Sequence, residues 1–281
     1  MSSSPKKLCL VFGILVLLFV ASLACSWTNP PQEVPPITQT VQVVQVVTVT
    51  QVVPVTQIVP VTRSASDGNG ENCALQFDGF DDYVYLGRWF DYSAFTISMW
   101  VNPGASQNEY ADIIDNNHTD YRSWVLQQDR SNTNSYVWGV AGNPPVIPFT
   151  LVANRWQHIV LSREAGAKVY INSDLVGANA SSRPAIYDGT QVLHLARWGG
   201  GGRNWNGRMD EVQIWSVALT QEQIQANMHR RLTGNEDGLL AYYRFDECAG
   251  SRLVDSSPNR HDGTLVDGPA WVASGVKLDE Q

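Results

Sequence analysis

Between Cys73 and about Trp271 the chain is a succession of short runs rich in β-branched and aromatic residues, each closed by Gly, Asn, Asp or Pro. Phe95-Thr96-Ile97-Ser98-Met99-Trp100-Val101 is one, and Ala74–Phe77, Tyr83–Leu86, Leu193–Ala196 and Leu240–Phe245 follow the same pattern. A strand sends alternate side chains to opposite faces, so many short strands bury apolar surface only by stacking as two layers. The pattern predicts an all-β, antiparallel two-sheet fold, a sandwich or a jelly roll. Trp156 to Ser162, the turn Arg163-Glu164-Ala165-Gly166 and Lys168 to Ile171 read as a hairpin. One short helix is marked: Thr220 with Gln223 forms a capping box, and Ile224, Met228 and Leu232 share a face before Gly234.

The residues ahead of this region cannot build a core. Lys6 and Lys7 precede an apolar run from Leu8 to Leu23, the layout of a secretory signal. Its end, Ser22-Leu23-Ala24-Cys25, is similar to a bacterial lipobox. Residues 1–24 are then the signal peptide and Cys25 the lipidated first residue; ordinary cleavage or a retained anchor are the alternatives. Residues 25–72 read as an extended stalk of Val, Thr, Gln and Pro, in which Gln51-Val52-Val53-Pro54-Val55-Thr56 is nearly repeated by Gln57-Ile58-Val59-Pro60-Val61-Thr62. Proline removes ladder donors, and at ~3.1 Å per residue about 40 residues would reach ~120 Å. The alternation Val41-Gln42-Val43 and Val47-Thr48-Val49 leaves a self-pairing strand as the other reading.

Two cysteines remain in the body, Cys73 before the first predicted strand and Cys248 after Leu240–Phe245. In an oxidising compartment they form one disulfide; otherwise they are two buried thiols. Loss of residues 1–24 moves the formal charge from −8 to −10, because Lys6 and Lys7 leave and no acid does. An acidic surface without a basic run argues against nucleic acid or an anionic membrane as partner, leaving the lipid anchor as the membrane contact.

The order of particular runs carries a resemblance. Ala74-Leu75-Gln76-Phe77-Asp78-Gly79-Phe80-Asp81-Asp82-Tyr83-Val84 comes first, then Phe95 to Val101, then Trp156-Gln157-His158-Ile159-Val160 with Val169-Tyr170-Ile171-Asn172. Arg208-Met209-Asp210-Glu211-Val212-Gln213-Ile214-Trp215 and Leu219-Thr220-Gln221-Glu222-Gln223-Ile224 follow. In this order they resemble LamG-like jelly-roll modules, the pentraxin-related concanavalin A-like domains of the lectin/glucanase superfamily. The resemblance spans residues 73–281 as one domain. Gly238-Leu239-Leu240-Ala241-Tyr242-Tyr243-Arg244-Phe245-Asp246-Glu247 resembles the lead-in to a further module, and either completes this domain or is the remnant of a second one.

The resemblance implies a non-catalytic binding module and a structural Ca²⁺ between the first and last strands, held by Asp78, the Gly79 carbonyl and Asp210. Hard cations take oxygen ligands of this kind. The alternative is that Asp78 closes an Asx turn and Asp210 accepts backbone N–H groups, and Asp81 and Asp82 read as exposed turn residues. For a glycan, the candidate rim combines Asn117, Tyr121, Arg122 and Trp124 with Trp198, Arg203, Asn204 and Trp205. Aromatic faces stack on sugar rings while Asn, Asp and Arg bond hydroxyls. The bland reading of Trp198–Trp205 is a long connection. Glucanases of this architecture need two carboxylates at alternate strand positions; no Glu-x-Asp-x-x-Glu run occurs, and Asp210 and Glu211 are adjacent. The expected role is therefore extracytoplasmic binding of a glycan, or adhesion to an envelope or surface protein.

Overall fold

The computed structural model describes residues 72–116, 123–130, 134–140, 146–180 and 189–279. The segments expected to be a signal peptide (residues 1–24) and a stalk (25–72), with Cys25 between them, lie outside the described residues up to residue 71. The elements begin β1 (Cys73–Asp78), β2 (Tyr83–Gly87), β3 (Phe95–Pro103), β4 (Asp112–Asn116), β5 (Trp124–Gln128) and β6 (Ser135–Val140). They continue β7 (Val146–Thr150), β8 (Gln157–Arg163), β9 (Ala167–Ile171), β10 (Asp174–Asn179), β11 (Leu193–Leu195) and β12 (Asn206–Trp215). Helix α1 (Gln221–Asn227), β13 (Leu239–Tyr243), β14 (Arg252–Leu253), β15 (Gly263–Val266) and β16 (Ala270–Ala273) complete the order.

Two eight-stranded sheets result, and every pairing within them is antiparallel. The first runs β10-β9-β8-β3-β12-β1-β16, with β13 also on β12; the second runs β14-β15-β2-β11-β4-β5-β6-β7. Inward residues of both sheets form one core, with Leu75 and Phe77 of β1, Ile97, Met99 and Val101 of β3, and Leu126 and Trp138 across from them. β3 and β8 are buried on both faces because α1 and the chain after it cover the outer side of the first sheet. There Val160, Tyr170, Trp215, Leu219, Ile224 and Tyr242 make a second apolar cluster.

Helix α1 starts as its sequence dictates. The Thr220 hydroxyl accepts the Gln223 N–H and the Gln223 side chain accepts the Thr220 N–H at 2.8 Å. It ends earlier than the apolar stripe implied, at Asn227, yet Leu232 remains buried in the same cluster. β7 escaped the sequence reading because Pro148 interrupts it. As the edge of its sheet, it tolerates a residue without an N–H.

The segment after residue 238 is part of the sandwich. β13 pairs with the second half of β12, β16 with β1, and β15 with β2. The Cys73–Cys248 disulfide, with Cα atoms 5.5 Å apart, ties this segment to the first strand. β1 and β13 share one side of β12, and where they meet β12 bulges: the register with β3 shifts between Asp210 and Gln213, and Glu211 has φ 51°.

Candidate functional site

Three connections meet at one end of the sandwich: turn 79–82 after β1, loop 104–111 after β3, and loop 196–205 before β12. Asn108 joins them, its Nδ2 donating to the Gly79 carbonyl at 2.6 Å and the Asn204 carbonyl at 2.9 Å. The Asp112 N–H donates to the Arg203 carbonyl at 2.8 Å, fixing the start of β4 against loop 196–205. Turn 79–82 needs its glycine: Gly79 has φ +81°, and a Cβ there would lie 2.9 Å from Cβ of Asn206. The turn is an Asx turn, with the Phe80 N–H on Asp78 Oδ1 at 2.7 Å, and it presents Phe80 to solvent with 81% exposure.

The acids here fall into two groups. The carboxylate oxygens of Asp78, Asp81 and Asp82 lie within 4.8 Å of one another. Asp82 is not the exposed turn residue its sequence suggested but 5% exposed, accepting the Asp78 N–H at 3.2 Å. Burial, and then the Asp78 and Asp81 charges, raise its pKa against that hydrogen bond. Three close carboxylates with oxygen ligands only are a donor set for a hard cation such as Ca²⁺, and the Gly79 carbonyl adjoins them. The second group is Asp112 and Asp115 of β4, both fully buried. Asp115 Oδ2 accepts the Gly199 N–H at 2.6 Å, which anchors loop 196–205 over the strand. Burial, followed by the Asp115 charge, holds the Asp112 carboxyl well above the usual carboxylate range, while Arg203 acts in the opposite sense.

Aromatic and cationic groups surround these acids. The Arg203 guanidinium lies 4.5 Å over the Trp198 ring and 5.1 Å from that of Tyr110. On the outer face of the second sheet His194 packs between Tyr83 and Tyr85, and Arg197 sits 4.2 Å over Tyr83. Burial lowers the His194 pKa more than Asp115 raises it, which favours the neutral ring.

Several expected positions move. Asn117, Tyr121 and Arg122 lie outside the described residues. Trp124 and Trp205 are core, not rim: Trp124 packs against Phe90 and Phe95, and Trp205 against Phe77 with its Nε1 toward the Tyr136 hydroxyl at 3.4 Å. Asn204 is buried too, its Nδ2 on the Asp82 carbonyl at 3.4 Å. Trp198 and Arg203 do sit at this end, but Arg203 covers the Trp198 ring and the Gly200 backbone abuts it, so that a Cβ there would lie 2.4 Å away. Trp198 therefore organises its loop, and among the described residues of this end Phe80 is the strongly exposed ring. An aromatic flanked by glycine and two acids was a legible sign of that exposure; nothing in the sequence marked Asn108 or Asp112.

The shared Asp78–Asp210 ion site is not formed. The β1–β12 register sets Asp78 opposite Asn206 and Leu75 opposite Met209, which leaves Asp210 well along the strand. Asp210 is buried instead, accepting the Ser274 hydroxyl and, at 2.8 Å, the Glu211 N–H. Glu211 accepts the Tyr242 hydroxyl and faces Arg231 at 4.0 Å. Each acid of the pair thus fastens a different part of the chain after β12.

Residues 77–225, just over half the chain, match the family model described as the concanavalin A-like lectin/glucanases superfamily. No curated protein sequence matches. Among solved structures, a candidate carbohydrate binding protein from Bacteroides ovatus ATCC 8483 aligns at 19% identity with a TM-score of 0.61. The alignment covers 75% of this chain and 62% of that one, so this chain spans less than two thirds of that protein's length. A heptameric SAP-like pentraxin from Limulus polyphemus aligns at 14% identity, covering 55% of this chain and 81% of that one, with a TM-score of 0.44. Family match and topology agree: the chain belongs to the concanavalin A-like lectin/glucanases superfamily.

Proposed function

We propose that this chain is a non-catalytic module that recognises glycans outside the cytoplasm, through the end of the sandwich where its three loops meet. The observation that carries the reading is the exposed Phe80 ring, held by an Asx turn beside a cluster of carboxylates and next to the Arg203–Trp198 loop. A ring of this kind stacks on a sugar while neighbouring polar groups bond its hydroxyls. Asp78, Asp81 and Asp82 are proposed to hold a Ca²⁺ that neutralises them and fixes the turn. The name of the Bacteroides ovatus neighbour is consistent with this class of ligand. The Cys73–Cys248 bridge supports an oxidising compartment, with Cys25 as lipid anchor and residues 25–72 as stalk.

A glycan array probed with and without chelator tests the reading. Binding that falls on Phe80→Ala in a normally folded domain supports it; silence on every glycan removes it. Adhesion to a surface protein has one observation of its own. The edge strand β10 leaves Leu175 and Val176 exposed, a strand able to pair with another chain. Loss of an envelope-protein pull-down on Val176→Lys would favour that reading.

A further inference from the structure

A second surface lies on the outer face of the first sheet, beyond the reach of α1 and the chain that follows it. Here Gln76, Arg208 and Asn102 stand side by side on the three neighbouring strands β1, β12 and β3, since the registers pair Gln76 with Arg208 and Arg208 with Asn102. Asn206 and Asn154, with Gly104, Ala105 and Gly207, complete the walls of a cavity of about 330 Å³. That volume is at the lower end of the range for small-molecule sites, roughly 300–1,000 Å³. Such sites are mostly apolar, whereas the polar side chains lining this one are amides and a guanidinium, and no acid is among the lining residues.

The cavity is held open and its cation is held in place. Arg208 Nε donates to Gln76 Oε1 at 2.7 Å, and Gln76 Nε2 donates to the Phe77 carbonyl at 3.1 Å. This restrains the guanidinium, and among the described residues neither Nη group has a hydrogen-bond partner. Among the described residues Arg208 has no carboxylate partner, although the chain carries 27 acids against 19 basic residues. Asn206 spends its Nδ2 on the Ser106 carbonyl at 3.2 Å, which leaves its Oδ1 available. A side chain at Gly104 would strike this amide, its Cβ lying 2.8 Å from Asn206 Cγ, so glycine keeps the wall in position.

We propose that this cavity is a binding site for an anionic saccharide. The Nη groups of Arg208 take the carboxylate or sulfate group, and the amides of Asn102, Asn154 and Asn206 bond ring hydroxyls. A preorganised guanidinium suits a planar or tetrahedral oxyanion, while amides supply both donors and acceptors to hydroxyls. The inference rests on the reading that the module recognises glycans, but it uses a different face from Phe80 and Arg203.

Calorimetric titration of the full chain with trigalacturonate, neutral galactotriose and a sulfated galactotriose tests it. A charged trisaccharide should bind about 10-fold or more tightly than the neutral one, and Arg208→Gln should remove that advantage. Asn154→Ala should weaken binding of the charged sugar, and whichever charged sugar binds more tightly identifies the anionic group. Both positions are exposed, so the variants should melt with the wild type. If saccharides bind and none responds to Arg208→Gln, this site is wrong and the glycan reading stands. If none of the three binds, this site is wrong, whereas the glycan reading falls only if the array is silent on every glycan.

Discussion

Breaking the Cys73–Cys248 bridge should unfold this domain more readily than the loss of any single core contact. The bridge spans a sequence separation of 175 residues, joining β1 to the turn after β13. In the loop-entropy model a closure of that size restricts the unfolded chain by roughly 5 kcal/mol at 25 °C. Small domains are stable by only about 5–15 kcal/mol, so the bridge accounts for a third or more of that margin. For a domain of about 200 residues this corresponds to a fall in Tm on the order of 10–20 °C. The folded contacts should survive, because β1 keeps β12 and β16 as neighbours without the sulfur link. The assay is guanidinium unfolding followed by the fluorescence of the buried Trp124, Trp138 and Trp205. It should be run on the oxidised protein, the reduced protein and Cys73→Ala/Cys248→Ala. Reduction keeps both sulfur atoms, so it separates the cross-link from any cavity left by alanine. The unfolded chain should also expand on reduction, which raises the denaturant slope. A loss below about 1 kcal/mol with an unchanged slope would refute the reasoning that the bridge acts on the unfolded state.

The buried Glu211 makes stability depend on pH. Burial raises its pKa to about 7, against the Tyr242 hydrogen bond and Arg231, so the fold favours the protonated acid. As pH rises past about 4.5 the unfolded chain loses this proton first, and stability falls until about pH 7, by about 3 kcal/mol in all. Glu211→Gln should flatten that fall when Tm is compared between pH 5 and pH 8; an unchanged difference would show that Glu211 does not titrate there. Calcium should raise the Tm of the wild type, and Asp78→Asn/Asp82→Asn should abolish the shift. A wild-type Tm indifferent to both Ca²⁺ and chelator removes the proposed ion.

The fold was legible because its signals are local and repeated. Alternation in Phe95 to Val101, the hairpin around Gly166 and the Thr220–Gln223 box each report on a few neighbouring residues, and each corresponds to an observed element. The site was only half legible. Trp198–Trp205 reads as one aromatic loop, but whether a tryptophan faces solvent depends on distant residues: Phe77 and Tyr136 take Trp205 into the core. The Asp78–Asp210 pairing failed for a related reason. Strand order brought β1 and β12 together, whereas register, which a sequence motif does not encode, set Asn206 opposite Asp78. The bulge at Glu211 is likewise a product of β1 and β13 meeting along β12, and no residue type in Asp210-Glu211-Val212 announces it.

The central claim is that the loop end bearing Phe80 and Arg203 recognises sugar. It is tested most directly by glycan-array binding of the wild type beside Phe80→Ala and Arg203→Ala, each checked for an unchanged circular dichroism spectrum. Glycan binding by the wild type, lost in Phe80→Ala and weakened in Arg203→Ala, is the predicted result. Wild-type binding that both variants retain in full would place recognition elsewhere on the domain and contradict the account.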